Sequence, residues 1–184
     1  MSLFETRPET VRGRVTYRLL LGVHAAVRSD LERVEALAAQ ALEGLPAEKL
    51  SEEPDELKRN GMLWRLKLDC LRYCRFVHSH HNTEDYAFFP ELRETNPAIN
   101  PVIDKLEADH QRVSDRLDAV EAAARGFGED ESEAAREALA SALRDLGEDL
   151  LDHLSYEERN LEATVLRLSE YRQPATLGAG DGAA

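Results

Sequence analysis

The sequence predicts an all-α protein folded as an up-down-up-down four-helix bundle. Strand-like alternation is nearly absent, while apolar residues recur at helical spacing in four long stretches. Glycine and proline mark the connections between these stretches. Mostly short connections between long helices favour antiparallel neighbours, as in such bundles. We expect one domain over residues 9–172, a short tail at 1–8 and a disordered tail at 173–184.

The four helices are predicted from turn residues and capping signals. Residues that face each other on two antiparallel helices lie at similar distances from the connection between the helices. His24 lies nineteen residues before position 43, at the end of the first helix, and His80 lies nineteen residues after position 61. We therefore expect the second helix to begin at Gly61 and not at Pro54. A serine or an aspartate is a good N-cap for the fourth helix. The predicted helices run from about Glu9 to Leu42, Met62 to Arg93, Ala98 to Arg125, and from a cap at Asp130 or Ser132 to Tyr171.

Composition limits the classes of function. The 184 residues carry a net charge of −13, which disfavours binding to nucleic acid. No apolar run is long enough for a membrane span and no signal peptide is evident, so we expect a cytoplasmic protein. Cys70 and Cys74 lie one helical turn apart, which favours two reduced, packed thiols over a redox motif.

Each predicted helix carries a histidine on its apolar face. Bundle helices turn inward the residues spaced alternately by three and four, and the histidines fall in this pattern. On two helices a glutamate follows four residues later, on the same face. The inward polar residues are His24 on helix one, His80 and Glu84 on helix two, His110 on helix three, and His153 and Glu157 on helix four.

Polar side chains in a core need partners, because an unpaired one costs about 1–3 kcal/mol. One inward histidine alone is most often a hydrogen-bonded core residue. Four histidines and two glutamates on facing helices either satisfy one another as a neutral network or bind metal ions. We favour a bound metal pair, since it satisfies all six side chains together.

The donor types indicate which metals fit. Imidazole and carboxylate without thiolate suit iron, and leave manganese and zinc open, whereas calcium requires oxygen ligands. Four histidines and two bridging carboxylates supply eight donor atoms, too many for one transition metal ion. Two six-coordinate ions with a bridging oxide or hydroxide then keep about two positions open for a small ligand.

The residues that carry these donors resemble the hemerythrin family, the non-haem diiron bundles also called HHE cation-binding domains. The similarity covers about residues 10–170. It rests on His24, "HHNTED" on helix two, the histidine of "EADHQRV" on helix three, "HLSYEE" on helix four, and "FFPEL" at the end of helix two. The resemblance implies two iron ions held by His24, His80, Glu84, His110, His153 and Glu157.

Two departures from the oxygen-carrying hemerythrins are present. Leu106 occupies the place of their second helix-three histidine, and Glu157 follows His153 by four residues where they have an aspartate at five. The pattern is more similar to bacterial, particularly actinobacterial, hemerythrin-like proteins with six protein ligands. That similarity implies chemistry on peroxide, including catalase-like activity, rather than simple oxygen carriage.

Three functions therefore stay open. The first is an oxidoreductase that acts on peroxide. The second is a non-catalytic binder or sensor of O₂ or NO. The third is an iron-handling or structural bundle. In each, the partner is a small molecule or the metal itself, and the sequence does not indicate the oligomeric state.

Several neighbouring residues have two interpretations. His81, Asp85 and Glu158 adjoin the inward donors and either orient them or are ordinary exposed charges. The tyrosines pack in the core or line a pocket, with packing favoured. The residues concerned are His81, Asp85, Glu158, Tyr17, Tyr73 and Tyr156, together with His78, expected at the surface, and Trp64, expected in a packing or partner contact.

Overall fold

The computed structural model describes residues 7–43, 55–127 and 132–169, with side chains described for 7–40, 64–126 and 132–169. These residues form helices and no strand, which confirms the all-α four-helix prediction. The predicted tails fall largely outside the described residues, so the domain limits 9–172 stay a prediction. The helices are α1 (Val11–Glu43), α2 (Asp55–Thr83), α3 (Phe89–Thr95), α4 (Asn100–Phe127) and α5 (Glu133–Val165).

The second long helix of the bundle is built from three consecutive segments. A π-helical turn, Glu84–Phe88, joins α2 to α3, and the Phe89 N–H bonds to the Glu84 carbonyl five residues back. Pro90 offers a reason for this turn, because proline has no N–H and its ring crowds the carbonyl four residues earlier in an α-helix. A π-helical turn inside a helix is rare and frequently marks a functional site. This one begins at Glu84, one of the predicted donors.

The four long helices run antiparallel to their neighbours. Between α1 and α5, the Thr10 N–H bonds to the Leu166 carbonyl at 2.9 Å, while His24 lies beside Glu157. Gly13 allows this close approach, since a Cβ there would lie 2.3 Å from the Leu166 oxygen. Helices α2 and α4 likewise pair in opposite directions, as do α4 and α5.

The N-terminus of α5 is capped by Ser132, as predicted. Its Oγ accepts a hydrogen bond from the Ala135 N–H at 3.2 Å. The helix ends at Val165, earlier than the predicted Tyr171, and a turn follows in which the Leu168 N–H bonds to the Val165 carbonyl.

The predicted start of the second helix at Gly61 is wrong. Helix α2 begins at Asp55, directly after Pro54 in the sequence. A proline just before a helix is harmless because the first N–H groups have no intrahelical partner. An isolated glycine costs a helix only about 1 kcal/mol relative to alanine, so Gly61 does not stop it.

Two apolar clusters occupy the interior, with a layer of histidines and glutamates at the level of His24 and His153. The larger cluster, here called the main apolar cluster, contains Val27, Leu31, Leu117, Leu150 and their neighbours. The smaller one contains Phe89, Ile103, Leu106 and Leu161. Cys70 and Cys74 are buried free thiols in the main cluster, and burial raises the pKa of each to about 12. None of the described helices combines the length and apolar character required to cross a membrane.

Candidate metal centre

The structure brings all six predicted donor residues into one buried layer. His24 and Glu157 are fully buried, His153 is 1% exposed and Glu84 is 2% exposed. His110 is 5% exposed, and the His80 side chain is 8% exposed. The inward faces predicted from helical spacing therefore meet at one level of the bundle.

His81 also belongs to this layer, although it was not among the six donors predicted from the sequence. It is only 5% exposed, so its interpretation as an exposed side chain is wrong. Its ring stacks on that of His110 at a centroid distance of 4.0 Å, while the His80 ring lies 5.1 Å from that of His24. Two consecutive residues of α2 thus face two different helices, α4 and α1.

The donor atoms fall into two groups that share one carboxylate. Within each group the candidate ligand atoms lie within 4.8 Å of one another. Two atoms bound to one ion at ordinary nitrogen or oxygen distances lie at most about 4.2 Å apart, so small side-chain movements suffice for coordination. The three-histidine group is His81, His110, His153 and Glu84, and the two-histidine group is His24, His80, Glu84 and Glu157.

Glu84 lies between the two groups, with one oxygen directed to each. Its Oε1 is 3.4 Å from His80 Nε2, and its Oε2 is 3.4 Å from His110 Nε2. Glu157 is also placed between histidines of both groups, because its Oε2 lies 3.4 Å from His24 Nε2 and 3.7 Å from His153 Nε2. Both glutamates are in position to bridge two cations.

Nine buried atoms that could bind a metal ion in this layer have no hydrogen-bond partner. They are the Nε2 atoms of the five histidines and both carboxylate oxygens of Glu84 and Glu157, and His153 Nδ1 is also buried without a partner. Each unpaired buried group costs about 1–3 kcal/mol, so together they would exceed the stability of an ordinary domain. Cations placed between them would satisfy all nine at once. The residues present therefore fit a pair of metal ions.

Carboxylates behind the histidines set the direction of their lone pairs. Glu158 Oε1 lies 2.8 Å from His24 Nδ1, and Arg28 donates to the same oxygen at 2.7 Å. Burial raises the pKa of Glu158, but these hydrogen bonds outweigh it and leave the pKa below its usual value. Because an ionised carboxylate only accepts, His24 Nδ1 carries the proton and Nε2 presents a lone pair to the layer.

Two further carboxylates occupy similar positions. Asp85 Oδ1 lies 2.7 Å from His110 Nδ1, and Asp109 Oδ2 lies 3.9 Å from His153 Nδ1. Asp85 and Glu158 thus lie where an orienting role requires them. Asp109, which the sequence did not single out, is 2% exposed and pairs with Lys105 and Arg112.

The ionisation of the layer also suits cations. Burial, with some repulsion from neighbouring histidines, lowers the pKa of His80 to about 3 and that of His153 to about 2. The same causes lower the pKa of His81. These imidazoles are therefore neutral near pH 7, which is the form that binds metal. Burial and the nearby Glu157 raise the pKa of Glu84, so only a compensating positive charge favours two ionised carboxylates here.

The remaining aromatic residues of interest pack around this layer. Tyr73 lies in the main apolar cluster, and Tyr17 and Tyr156 lie against the smaller one. The Tyr17 hydroxyl donates to the Glu158 carbonyl at 3.2 Å. Trp64 is 60% exposed, and His78 is half-buried with Nε2 4.0 Å from Asp118 Oδ1.

The comparison with known protein families supports a cation-binding role for this layer. The hemerythrin HHE cation-binding domain family matches residues 15–165, which is most of the chain. The chain belongs to this family. Among curated proteins and solved structures, none matches it. As an HHE domain, it carries a histidine and glutamate cluster that fits metal cations.

His81 changes the donor count made from the sequence. Five histidines and two bidentate glutamates supply nine protein donors instead of eight. If one oxygen bridged two six-coordinate ions, about one position would stay open rather than two. The helix-three histidine absent at Leu106 is thus matched in number by a histidine from α2.

Proposed function

We propose that the protein holds two non-haem iron ions in this layer and reacts with small oxidants, with peroxide disproportionation as the candidate reaction. The ligands are His24, His80, Glu84, His110, His153 and Glu157, with His81 as a seventh. The observation that carries the proposal is the set of nine buried, partnerless donor atoms in two groups that share Glu84. Manganese and zinc use the same donor types and are the alternatives for the metal.

When bound, two iron ions would supply the redox chemistry and polarise a small oxygen or nitrogen ligand. The protein's part is to hold and shield them. Glu158 and Asp85 orient His24 and His110 from outside, and the two apolar clusters exclude bulk water on either side. Because each donor side chain is at most about 8% exposed, the ions would be within reach only of ligands of a few atoms, such as H₂O₂, O₂ or NO.

A non-catalytic binder or sensor of O₂ or NO is the second candidate, since the same restriction in size suits binding without turnover. An iron-handling role is the third. A cytoplasmic location is consistent with reduced, buried Cys70 and Cys74 and forms part of the proposal.

The first experiment is metal content per chain together with the visible spectrum, before and after addition of peroxide. About two irons, near-ultraviolet charge-transfer bands and gas evolution would support catalase-like chemistry. Two irons with a persistent adduct and no turnover would favour the binder. Little metal, or a single zinc ion, would contradict the diiron proposal.

Two histidines three positions apart provide a matched pair of variants. His81→Ala removes a buried donor, so we expect lower metal content or a shifted charge-transfer spectrum. His78→Ala removes a half-buried imidazole from the same helix outside the donor groups and should leave both unchanged. Equal behaviour of the two variants would show that His81 is not a ligand.

A further inference from the structure

A polar cavity between α2 and α4 reaches the outer side of the three-histidine group. It has a volume of about 160 Å³. Its inner wall is the stacked pair His81 and His110, and its sides include Asn82, Gln111 and Ser114. A cavity needs about 10–15 Å³ to hold one buried water, so this cavity has room for several waters or one hydrated ion.

The chemistry of the walls suits a cation. The lining supplies carboxylate, imidazole, amide and hydroxyl groups, and none of its residues is lysine or arginine. Glu107 is paired with Arg93 at 2.9 Å, while Asp85 Oδ1 lies 2.7 Å from His110 Nδ1. Divalent first-row transition-metal ions exchange water for such oxygen and nitrogen donors, whereas an anion finds no positive partner in these walls.

His81 connects this cavity to the metal site. It lines the cavity, and it also belongs to the three-histidine group, where its Nε2 has no partner. The other donors of that group, His153 and Glu84, are at most 2% exposed. A cation that enters between α2 and α4 therefore meets His81 and His110 before any other donor.

We propose that this cavity, the α2–α4 vestibule, is the route by which divalent cations reach the donor layer, with His81 among the first groups to receive them. The inference rests on the proposed metal centre. The rate of metal uptake tests the route, whereas the amount of metal bound per chain tests the metal centre itself.

The test is the rate of Co²⁺ uptake by the metal-free full-length chain, followed by visible absorbance after rapid mixing. Ser114→Phe and Gln111→Phe each place a ring in the vestibule. Without a polar cleft to guide the ion, we expect uptake to slow by about tenfold. The final Co²⁺ per chain, its spectrum and its affinity should be unchanged, because a route affects binding and release alike.

Two control variants separate blockage from general perturbation. Ser114→Ala removes the hydroxyl without filling the cavity. Ala39→Phe fills a different cavity of about 250 Å³ between α1 and α5, whose walls hold none of the donors. Both should take up Co²⁺ at the wild-type rate. Gln111 is exposed, so its variant keeps the test valid if Ser114→Phe fails to fold.

Uptake by both phenylalanine variants within about twofold of wild type, at full stoichiometry, would overturn the vestibule as the route. Access would then lie elsewhere, for instance beside His80, whose side chain is 8% exposed. Failure of the wild-type chain to bind Co²⁺ at all would instead contradict the metal centre on which the inference rests.

Discussion

The main apolar cluster and the histidine–glutamate layer are built on the same helices, but they differ in how their buried groups are satisfied. In the cluster, residues such as Leu31 and Leu150 pack against one another and need no other partner. In the layer, nine donor atoms have none. Equal burial therefore stabilises one region and destabilises the other, unless cations are bound. This bundle therefore has one part that is stable by itself and one part that depends on a bound ligand.

Removal of metal should have the largest effect and should act on the layer alone. A ligand at about 1,000 times its dissociation constant stabilises a protein by about 4 kcal/mol. For a chain of this size, the loss should lower Tm by about 8–16 °C. The measurement is calorimetry of iron-loaded protein with and without a chelator. An unchanged Tm after verified removal of iron would contradict the dependence of the layer on metal.

Leu150→Ala should destabilise the main apolar cluster and leave the stabilisation by bound metal unchanged. Leu150 is fully buried, and such truncations cost about 3–5 kcal/mol through lost burial and the cavity left behind. Denaturant unfolding of metal-free and metal-loaded protein measures the loss in both states, which we expect to be equal. Arg116→Ala, at an exposed pair with Asp149, is the control and should cost less than about 1 kcal/mol. A loss that depended on metal would show the two regions to be coupled.

Acid should destabilise the metal-free protein through the layer. The pKa values of His80, His81 and His153 are lowered by burial, so the unfolded state binds more protons below pH 6.5 and stability falls as pH falls. The raised pKa of Glu84 has the opposite effect, since its folded form keeps a proton that the unfolded form loses above about pH 4.5. Three groups outweigh one, and we expect a net loss on the order of 2 kcal/mol between pH 6.5 and 5.5.

Urea unfolding of the metal-free chain across this range measures that loss. Stability that rose between pH 6.5 and 5.5 would show that the carboxyl group outweighs the histidines.

Glu84→Leu should stabilise the metal-free protein, and this gain is the smallest change expected here. It replaces a buried carboxyl without a partner by an apolar side chain, so the metal-free protein should gain about 1–2 kcal/mol. The same variant should lose the stabilisation by metal, because both donor groups share Glu84. Chemical unfolding with and without Fe²⁺ measures both changes. A metal-free variant less stable than wild type would mean that Glu84 is already satisfied.

Much of the fold and part of the site were predictable from local sequence. Helical spacing placed His24, Glu84, His110 and Glu157 inside, and the structure buries all four. Ser132 was a recognisable cap. The helix limits were less accurate, because Gly61 is a weak breaker whose effect the rest of α2 overrides. Asp109 gave no signal, since its burial depends on α5 packing beside it.

His81 shows why the site was only partly predictable. A single inward row of residues on α2 includes His80 but not His81. The buried face is wider than this row, however, and also includes Cys74, which is fully buried seven residues before His81. The spacing of Cys74, Val77, His81 and Glu84 was a usable signal for this second row. It indicated burial, but not that His81 would stack on His110.

Periodicity within single helices was enough to predict the fold class and to place six histidines and glutamates on four apolar faces, and the motifs that these residues form indicated the HHE family. Packing between helices, in contrast, determines that His81 joins them, that Glu84 faces both donor groups, and that a polar vestibule lies between α2 and α4. These features depend on how far each helix is rotated toward its neighbours and on the π-helical turn at Glu84–Phe88. Rotation and register are set by packing between helices, which no single helix encodes.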